Sequence, residues 1–525
     1  MNRLLLYWHT IRYLTPRQLT YQLLNRLRPR PRLRPARPAP EGHPLAVLPE
    51  SVPASGVATS DATFTLLNVP VHFGGGVDWN HHADGKLWTY ALTGFDFLNE
   101  PGDAGAQLRL LRAFVRQGNA IQAGLEPYPT SLRIVNWVRF LSRHGLREPE
   151  VEAHLYAQIG LLRGRVEYHL AGNHLLENAI ALVTGALYFR HRRWFGPAAR
   201  LLRQELDRQL LRDGGHEERS PVYHRLLLDR LLDLTYALRH DHWHADPALT
   251  EALGGAAARM LGWLGQITFA NGDTPDVNDA ARYVAPSATA IRQKAAQLGI
   301  RPRNRPLYDS GYRLFRRPAY ELLADVGAVG PDHQPGHAHA DTLAFLLCVR
   351  QQPVLVDTGT STYAPGERRQ RERSTAAHNT VTVADRDSSV VWHTFRVGQR
   401  ARAQVIAEND SYLFAGHTGY TALGVVHERA WECHEQAVTV TDQLISRGGR
   451  TTGTARFHFH PDVAVALSGQ TATAGPLHLT LRSPHPFRTQ LVPYDMADGF
   501  NRLRPALCLE VFFTQQLETR LTVTE

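Results

Sequence analysis

Arg301-Pro302-Arg303-Asn304-Arg305-Pro306 divides the chain into two kinds of pattern. Before it, apolar residues recur at helical spacing over approximately 105 to 118, 131 to 144, 150 to 170, 174 to 190, 196 to 212, 221 to 239 and 246 to 267. The breakers between these segments are short, such as Gly172-Asn173 and Asp213-Gly214-Gly215. Consecutive helices should therefore be antiparallel neighbours. Pairs of that kind arranged about an axis give an α/α toroid, and a solenoid would leave much the same pattern. Beyond the divide the chain reads as strands: Tyr320 to Val326, Thr342 to Val349, Pro353 to Asp357, Asn379 to Ala384, Ala437 to Gln443, Arg456 to His460, Leu477 to Leu481 and Ala506 to Phe513. No helical pattern intervenes, which predicts an antiparallel β-sandwich.

The expected organisation is α+β and multidomain. Residues 1–45 form a basic arm, 46–300 an incomplete α/α toroid with a small β subdomain near 62–99, and 301–525 the sandwich. A chain of 525 residues is too long for one ordinary core, which agrees with two large units.

Charge is unevenly placed. The formal net charge is +9, yet residues 1–40 hold nine arginines (Arg3, Arg12, Arg17, Arg26, Arg28, Arg30, Arg32, Arg34, Arg37) and no Asp or Glu. Without those nine, 49 basic residues face 49 acidic ones. A basic excess confined to one arm, with no recognised module, argues against a nucleic-acid binder. Arginine and proline alternate from Arg26 to Pro40, which predicts an extended, solvated tether able to touch a membrane or a protein. A neutral body still allows a locally basic cleft for an acidic polymer.

Cys348, Cys433 and Cys508 are sparse and without CxxC spacing, so neither a disulfide framework nor a thiolate metal site is expected. The apolar opening Leu4 to Trp8 is too short for a signal sequence. No apolar run reaches the roughly 18 residues of a membrane span. A cytoplasmic location is the default expectation, with a periplasmic or membrane-associated one as the alternative.

Four polar clusters interrupt these patterns, in both halves, which points to a cleft between them. In Gly172-Asn173-His174-Leu175-Leu176-Glu177-Asn178, His174 and Glu177 share a helix face and Asn173 could be the cap; capping plus a surface pair would explain the segment equally. In Asp213 to His224, Ser220-Pro221 looks like an N-cap and first helical residue, placing Tyr223 in the first turn. There the helix dipole and Arg219 would favour a phenolate, although Tyr223 could instead be a packing residue. His337 and His339 would point the same way in a strand. His339, Asp357 and His378, from Arg373-Ser374-Thr375-Ala376-Ala377-His378-Asn379-Thr380, would suit Zn²⁺.

Together with Pro127-Tyr128-Pro129-Thr130-Ser131-Leu132-Arg133 and Val356-Asp357-Thr358-Gly359, these segments resemble the heparinase II/III family, in family order. The resemblance implies a toroid followed by a sandwich, with a groove between them where an acidic, uronate-containing polysaccharide is cleaved by β-elimination. It implies that Tyr223 and His337 handle protons and that Asn173 or His174 neutralises the substrate carboxylate. It further implies that Glu177 and Arg373 support the substrate and that His339, Asp357 and His378 hold a structural zinc ion; Arg219 is a further substrate-binding candidate. A glycoside hydrolase or epimerase, or a non-catalytic glycan-binding protein of an exopolysaccharide system, are the alternatives. Hydrolysis usually needs two flanking carboxylic acids, whereas these clusters are richer in His, Asn and Tyr.

Overall fold

The computed structural model describes residues 3–35, 40–48, 56–58 and 62–524. Eleven helices precede the sandwich among these residues: α1 (Arg3–Ile11), α2 (Pro16–Leu27), α3 (Lys86–Gly94), α4 (Ala104–Gln117), α5 (Pro127–Arg143), α6 (Pro149–Arg163), α7 (Gly172–Tyr188), α8 (Arg192–Gln209), α9 (Pro221–Arg239), α10 (Pro247–Ile267) and α11 (Ala288–Gln297). Local chemistry sets several of their starts. Asp103 accepts from the backbone N–H groups of Gly105 and Ala106, and Pro127, Pro149, Pro221 and Pro247 stand where a missing N–H costs nothing. Among these, α7 is buried on nearly every side, packed against α5, α8 and α9, so it carries apolar residues all round rather than along one stripe. This is the incomplete α/α toroid expected from the sequence. The three strands Gly56–Ala58, Thr63–Leu66 and Val69–His72 form the small subdomain beside it.

The sandwich contains an eight-stranded sheet in the order Ala403–Asn409, Tyr412–His417, Val425–Cys433, Ala437–Ser446, Gln516–Val523, Leu477–Arg482, Thr471–Ala474, Val465–Ser468. Two four-stranded sheets complete it. One runs Tyr312–Arg316, Tyr320–Asp325, Phe345–Val349, Gln352–Leu355, and the other Arg488–Ala497, Leu503–Thr514, Thr452–His458, Val381–Val383. All the pairings are antiparallel. Their inward faces share one core that includes Leu322, Phe345, Trp431, Val440, Phe457 and Val511. Alternation along Val425–Cys433, with every second residue buried, is the pattern of a sheet with one face on the core. Cys348, Cys433 and Cys508 are all buried and free.

The tether expected from Arg26 to Pro40 forms neither helix nor strand over residues 29–35, but the arm ahead of it is helical. Residues 3–27 form α1 and α2, the second closed by a capping box between Thr15 and Gln18. Both helices are seated on the body: Gln18 Nε2 donates to the His333 carbonyl at 3.0 Å, Asn25 meets His169 at 3.0 Å, and Trp392 Nε1 donates to Thr10 Oγ1 at 3.2 Å. Arg17 lies 3.8 Å from the Tyr168 ring centroid. The helices bridge both halves because their Tyr, Gln and Asn side chains find partners that composition alone does not reveal. Within the arginine-proline stretch Leu33 is buried, and residues 36–39 lie outside the described residues.

Candidate functional site

The polar clusters converge where the first turns of α7 and α9 face the sandwich. Ala171 and Gly172 both take positive φ (61° and 55°) as the chain turns into α7, so Asn173 stands inside the helix rather than capping it. The turn brings Asn173 against Glu218, whose carboxylate accepts from Asn173 N at 2.8 Å and Asn173 Nδ2 at 2.7 Å. Glu218 is buried. Burial works against its charge, but His337, His216 and the two Asn173 donors hold its carboxyl below the usual range. A Cβ at position 172 would collide with the Glu218 carboxylate, which is why glycine is needed there.

Ser220 does not cap α9 with its side chain; its Oγ donates to the Asp279 carbonyl at 2.7 Å. Tyr223, in the first turn, lies with its ring 3.9 Å from that of His337 and its hydroxyl 3.0 Å from that of Tyr363. The expectation of a phenolate is overturned. Burial, then Tyr363 and Asp279, push the phenol well above its ordinary value. Arg219 cannot counter this, because its guanidinium is turned away to the carbonyls of Asp309 and Ser310.

His337 and His339 lie in a loop rather than a strand, yet both face one carboxylate. Asp279, from the segment between α10 and α11, accepts from or pairs with His337 Nδ1 at 2.9 Å and His339 Nε2 at 3.0 Å. Arg369 completes the cluster, its Nη2 donating to Asp279 Oδ2 at 2.7 Å from helix α12 (Glu367–Arg373) of the sandwich. Against the cost of burial, Arg369 and both imidazoles keep the Asp279 carboxyl well below its usual range. With Nδ1 engaged by Asp279, His337 turns Nε2 toward Asn173 Nδ2 at 3.4 Å and Glu218 Oε2 at 3.7 Å.

His174 stacks on Tyr128, ring centroids 4.2 Å apart, and its Nδ1 lies 3.3 Å from Glu167 Oε2. Burial opposes its protonation, but Glu167 more than compensates and raises the imidazole above its ordinary value. Glu177 is buried with Oε2 unpartnered, and burial pushes its carboxyl up to about 7. Arg373 is fully buried. It grips the carbonyls of Ala338, His393 and Thr394, so it holds the loop that carries His337 in place of lining a groove.

His378 Nδ1 lies 2.7 Å from Asp357 Oδ2, and the rings of His339 and His378 are 5.3 Å apart. Two ring nitrogens, His339 Nδ1 and His378 Nε2, are buried without a partner, which is what imidazoles prepared for a metal would show. Among the described residues no three His, Cys, Asp or Glu side chains are gathered closely enough to hold an ion. The residue types fit zinc, while the spacing would have to tighten around it.

Glu218, Asp279, Tyr363 and Arg369 have no role in the sequence reading. Asn278-Asp279 is a polar pair between two helices, a weak signal, and Arg369 sits in a charged run that reads as a solvated face. The half-buried rings of Tyr128, His174, Tyr223 and Tyr363 form the accessible edge of the site.

Comparison with known proteins agrees with this architecture. The chain is 27% identical over 300 residues to FtsZ-localized protein C of Caulobacter vibrioides, an alignment covering 52% of this chain and spanning about half, 50%, of that protein's length. Among solved structures, a crystal structure of heparinase III superposes with a TM-score of 0.66 at 14% identity, covering 86% of this chain and 80% of that one. A mutant of the heparan sulfate lyase HepC from Pedobacter heparinus superposes with a TM-score of 0.58 at 16% identity, covering 87% and 80%. At such identities these likenesses speak to the fold. The description "Heparinase II/III N-terminus" matches residues 158–299 and "Heparinase II/III-like, C-terminal" matches residues 300–523, so the chain belongs to the heparinase II/III family.

Proposed function

We propose that this protein is a polysaccharide lyase that cleaves an acidic, uronate-containing polymer by β-elimination. The observation that carries the reading is the convergence of Tyr223, from the helical half, with His337, from the sandwich half, at a ring separation of 3.9 Å beside Asn173.

Removing the C5 proton of a uronate builds a second negative charge next to an existing carboxylate. Neutralising that carboxylate is the main demand on the protein. Of the two candidates, His174 is the better supported, because Glu167 favours its cationic form while the Asn173 amide already donates to Glu218. His337, oriented by Asp279, offers Nε2 as the base at C5. Tyr223, held as a neutral phenol, is suited to donate its proton to the glycosidic oxygen leaving C4. The C5–H and C4–O bonds break, a C4=C5 double bond forms, and no water is consumed. Absorbance of the unsaturated uronate, followed while the purified chain is presented with a panel of uronate polymers, tests the proposal. A product chromophore with at least one of them is expected, and chain shortening without it would replace elimination by hydrolysis.

A Zn²⁺ held by His339, Asp357 and His378 belongs to the same reading, supported by the two orphaned ring nitrogens. Bound there it would brace the loop beneath His337. Elemental analysis should find zinc, and chelation should lower the melting midpoint, since a ligand that binds only the folded state stabilises it. Metal-free protein that melts identically with and without chelator would remove the ion from the proposal.

One observation favours a second reading, a glycan-binding protein without turnover. The Glu218 carboxylate lies against Asn173, where a uronate would bring its own negative charge. Saturable binding of an acidic glycan with no chromophore from any polymer would select it.

A further inference from the structure

The large apolar side chains that the body leaves in solvent are concentrated on α1 and α2. Of sixteen among the described residues, nine fall between Leu4 and Leu27. On α1 they are Leu4, Leu5, Tyr7, Trp8 and Ile11; on α2 they are Leu19, Leu23, Leu24 and Leu27. Leu4, Trp8 and Ile11 recur at the four- and three-residue steps of one helix face, and Leu19, Leu23 and Leu27 at two four-residue steps. Leu4 is 78% exposed, Trp8 61%, Leu23 61% and Leu27 75%, so the face is bare rather than grazed. On α2 the side opposite Leu19, Leu23 and Leu27 is anchored to His333, Tyr168 and His169, and α1 meets Trp392 through Tyr7 and Thr10. The pair is thus fixed to the body by its polar and aromatic side while its leucines point outward. The seven remaining exposed apolar residues lie scattered between Tyr283 and Leu503.

We propose that this face is a docking surface for an anionic lipid bilayer, on which α1 and α2 lie in the plane of the headgroups. Charge decides between occupants. Residues 1–40 carry nine arginines and no acidic residue, and Arg12, Arg26, Arg30, Arg32 and Arg34 are exposed. Leucine and tryptophan bordered by arginine is the composition of a helix that sinks its apolar side to the acyl boundary while its cations meet lipid phosphates. A second copy presenting the same surface would set arginines against arginines. No described helix is long and apolar enough to cross a membrane, so the geometry is that of lying on a bilayer. Through Trp392 and the His393 and Thr394 carbonyls held by Arg373, the docked helices also rest on the loop next to Phe395 and His337. The accessible edge of the site is thereby carried at a fixed position relative to the lipid surface.

Vesicle flotation of the full chain tests this, using phosphatidylcholine vesicles with and without about a third phosphatidylglycerol. The wild-type chain should float with the anionic vesicles, and rising salt should release part of it. The triple variant Trp8→Glu, Leu23→Glu, Leu27→Glu should reduce the bound fraction at least about tenfold while melting like the wild type, because all three side chains are exposed. Replacing Arg26, Arg30, Arg32 and Arg34 by Ser should erase the preference for anionic over neutral vesicles. Failure of the wild-type chain to float, or equal flotation of the triple variant, would overturn the proposal. A dimer that only the triple variant loses, without vesicle binding, would assign the face to a second copy. None of these outcomes depends on whether the chain cleaves a polysaccharide.

Discussion

At the scale of single residues, the site is governed by where burial puts each proton. Tyr223 is a neutral phenol at rest, so removing its hydroxyl removes a proton donor without disturbing charge. Tyr223→Phe should lower kcat/KM on the responsive polymer by about 10² or more while the melting midpoint stays near that of the wild type. Retention of more than about a tenth of the rate would exclude Tyr223 as the acid. Glu177 gives a pH prediction of definite sign. Its folded-state pKa of about 7 stands above the ordinary carboxyl value of 4.5, so the folded protein binds this proton more tightly than the unfolded chain. Stability linked to Glu177 is full below the unfolded value and is lost as pH rises from there through about 7, by as much as about 3 kcal/mol. In Glu177→Gln that segment of the stability-pH profile should flatten, as measured by denaturant unfolding at a series of pH values.

At the scale of elements, the start of α7 is the piece on which the geometry turns. Positive φ at Ala171 and Gly172 swings Asn173 inward, and the missing side chain at 172 leaves room for Glu218. Gly172→Ala meets both a strained backbone and a collision with a buried carboxylate. It should cost about 1–3 kcal/mol and separate Asn173 from Glu218. Calorimetry reports the first effect and a crystal structure of the variant the second. The seven helical segments legible from periodicity are all present, and α9 begins and ends at the residues the pattern indicates, Pro221 and Arg239. His337 and His339 would share a direction in a strand, and they share one although the segment is a loop. Their shared direction comes instead from one acceptor, Asp279.

For the whole molecule, the joint between the halves includes a buried ion pair beside an apolar cluster in which Trp263 and Ile267 meet Tyr312 and Leu323. Asp279 comes from the helical half and Arg369 from the sandwich half, and both are buried. Breaking such a pair by neutralising one partner typically costs about 3–5 kcal/mol, because the other charge stays buried. Asp279→Asn should therefore lower the unfolding midpoint markedly and, by releasing the His337 tautomer, reduce turnover at least about tenfold. An unchanged midpoint would mean that Arg369 finds another acceptor and that the joint is held elsewhere.

Periodicity, breakers and the shift near residue 301 determined the two-part architecture, since helices and strands declare themselves through spacing that neighbours in sequence carry. The same reading brought Asn173, His174, Tyr223, His337, His339, Asp357 and His378 forward, because polar groups interrupting apolar patterns must be satisfied or used. Only the tertiary structure decided that Asp279 and Arg369, ninety positions apart, pair at the site, that Glu218 sits on Asn173, and that Arg219 and Arg373 face backbone carbonyls. It also decided that residues 3–27 fold onto the body, which their arginines and lack of acids had concealed. The physical reason is common to all of these: a side chain's charge state, partner and exposure are set by what the fold brings against it across space, and spacing along the chain does not encode that distance.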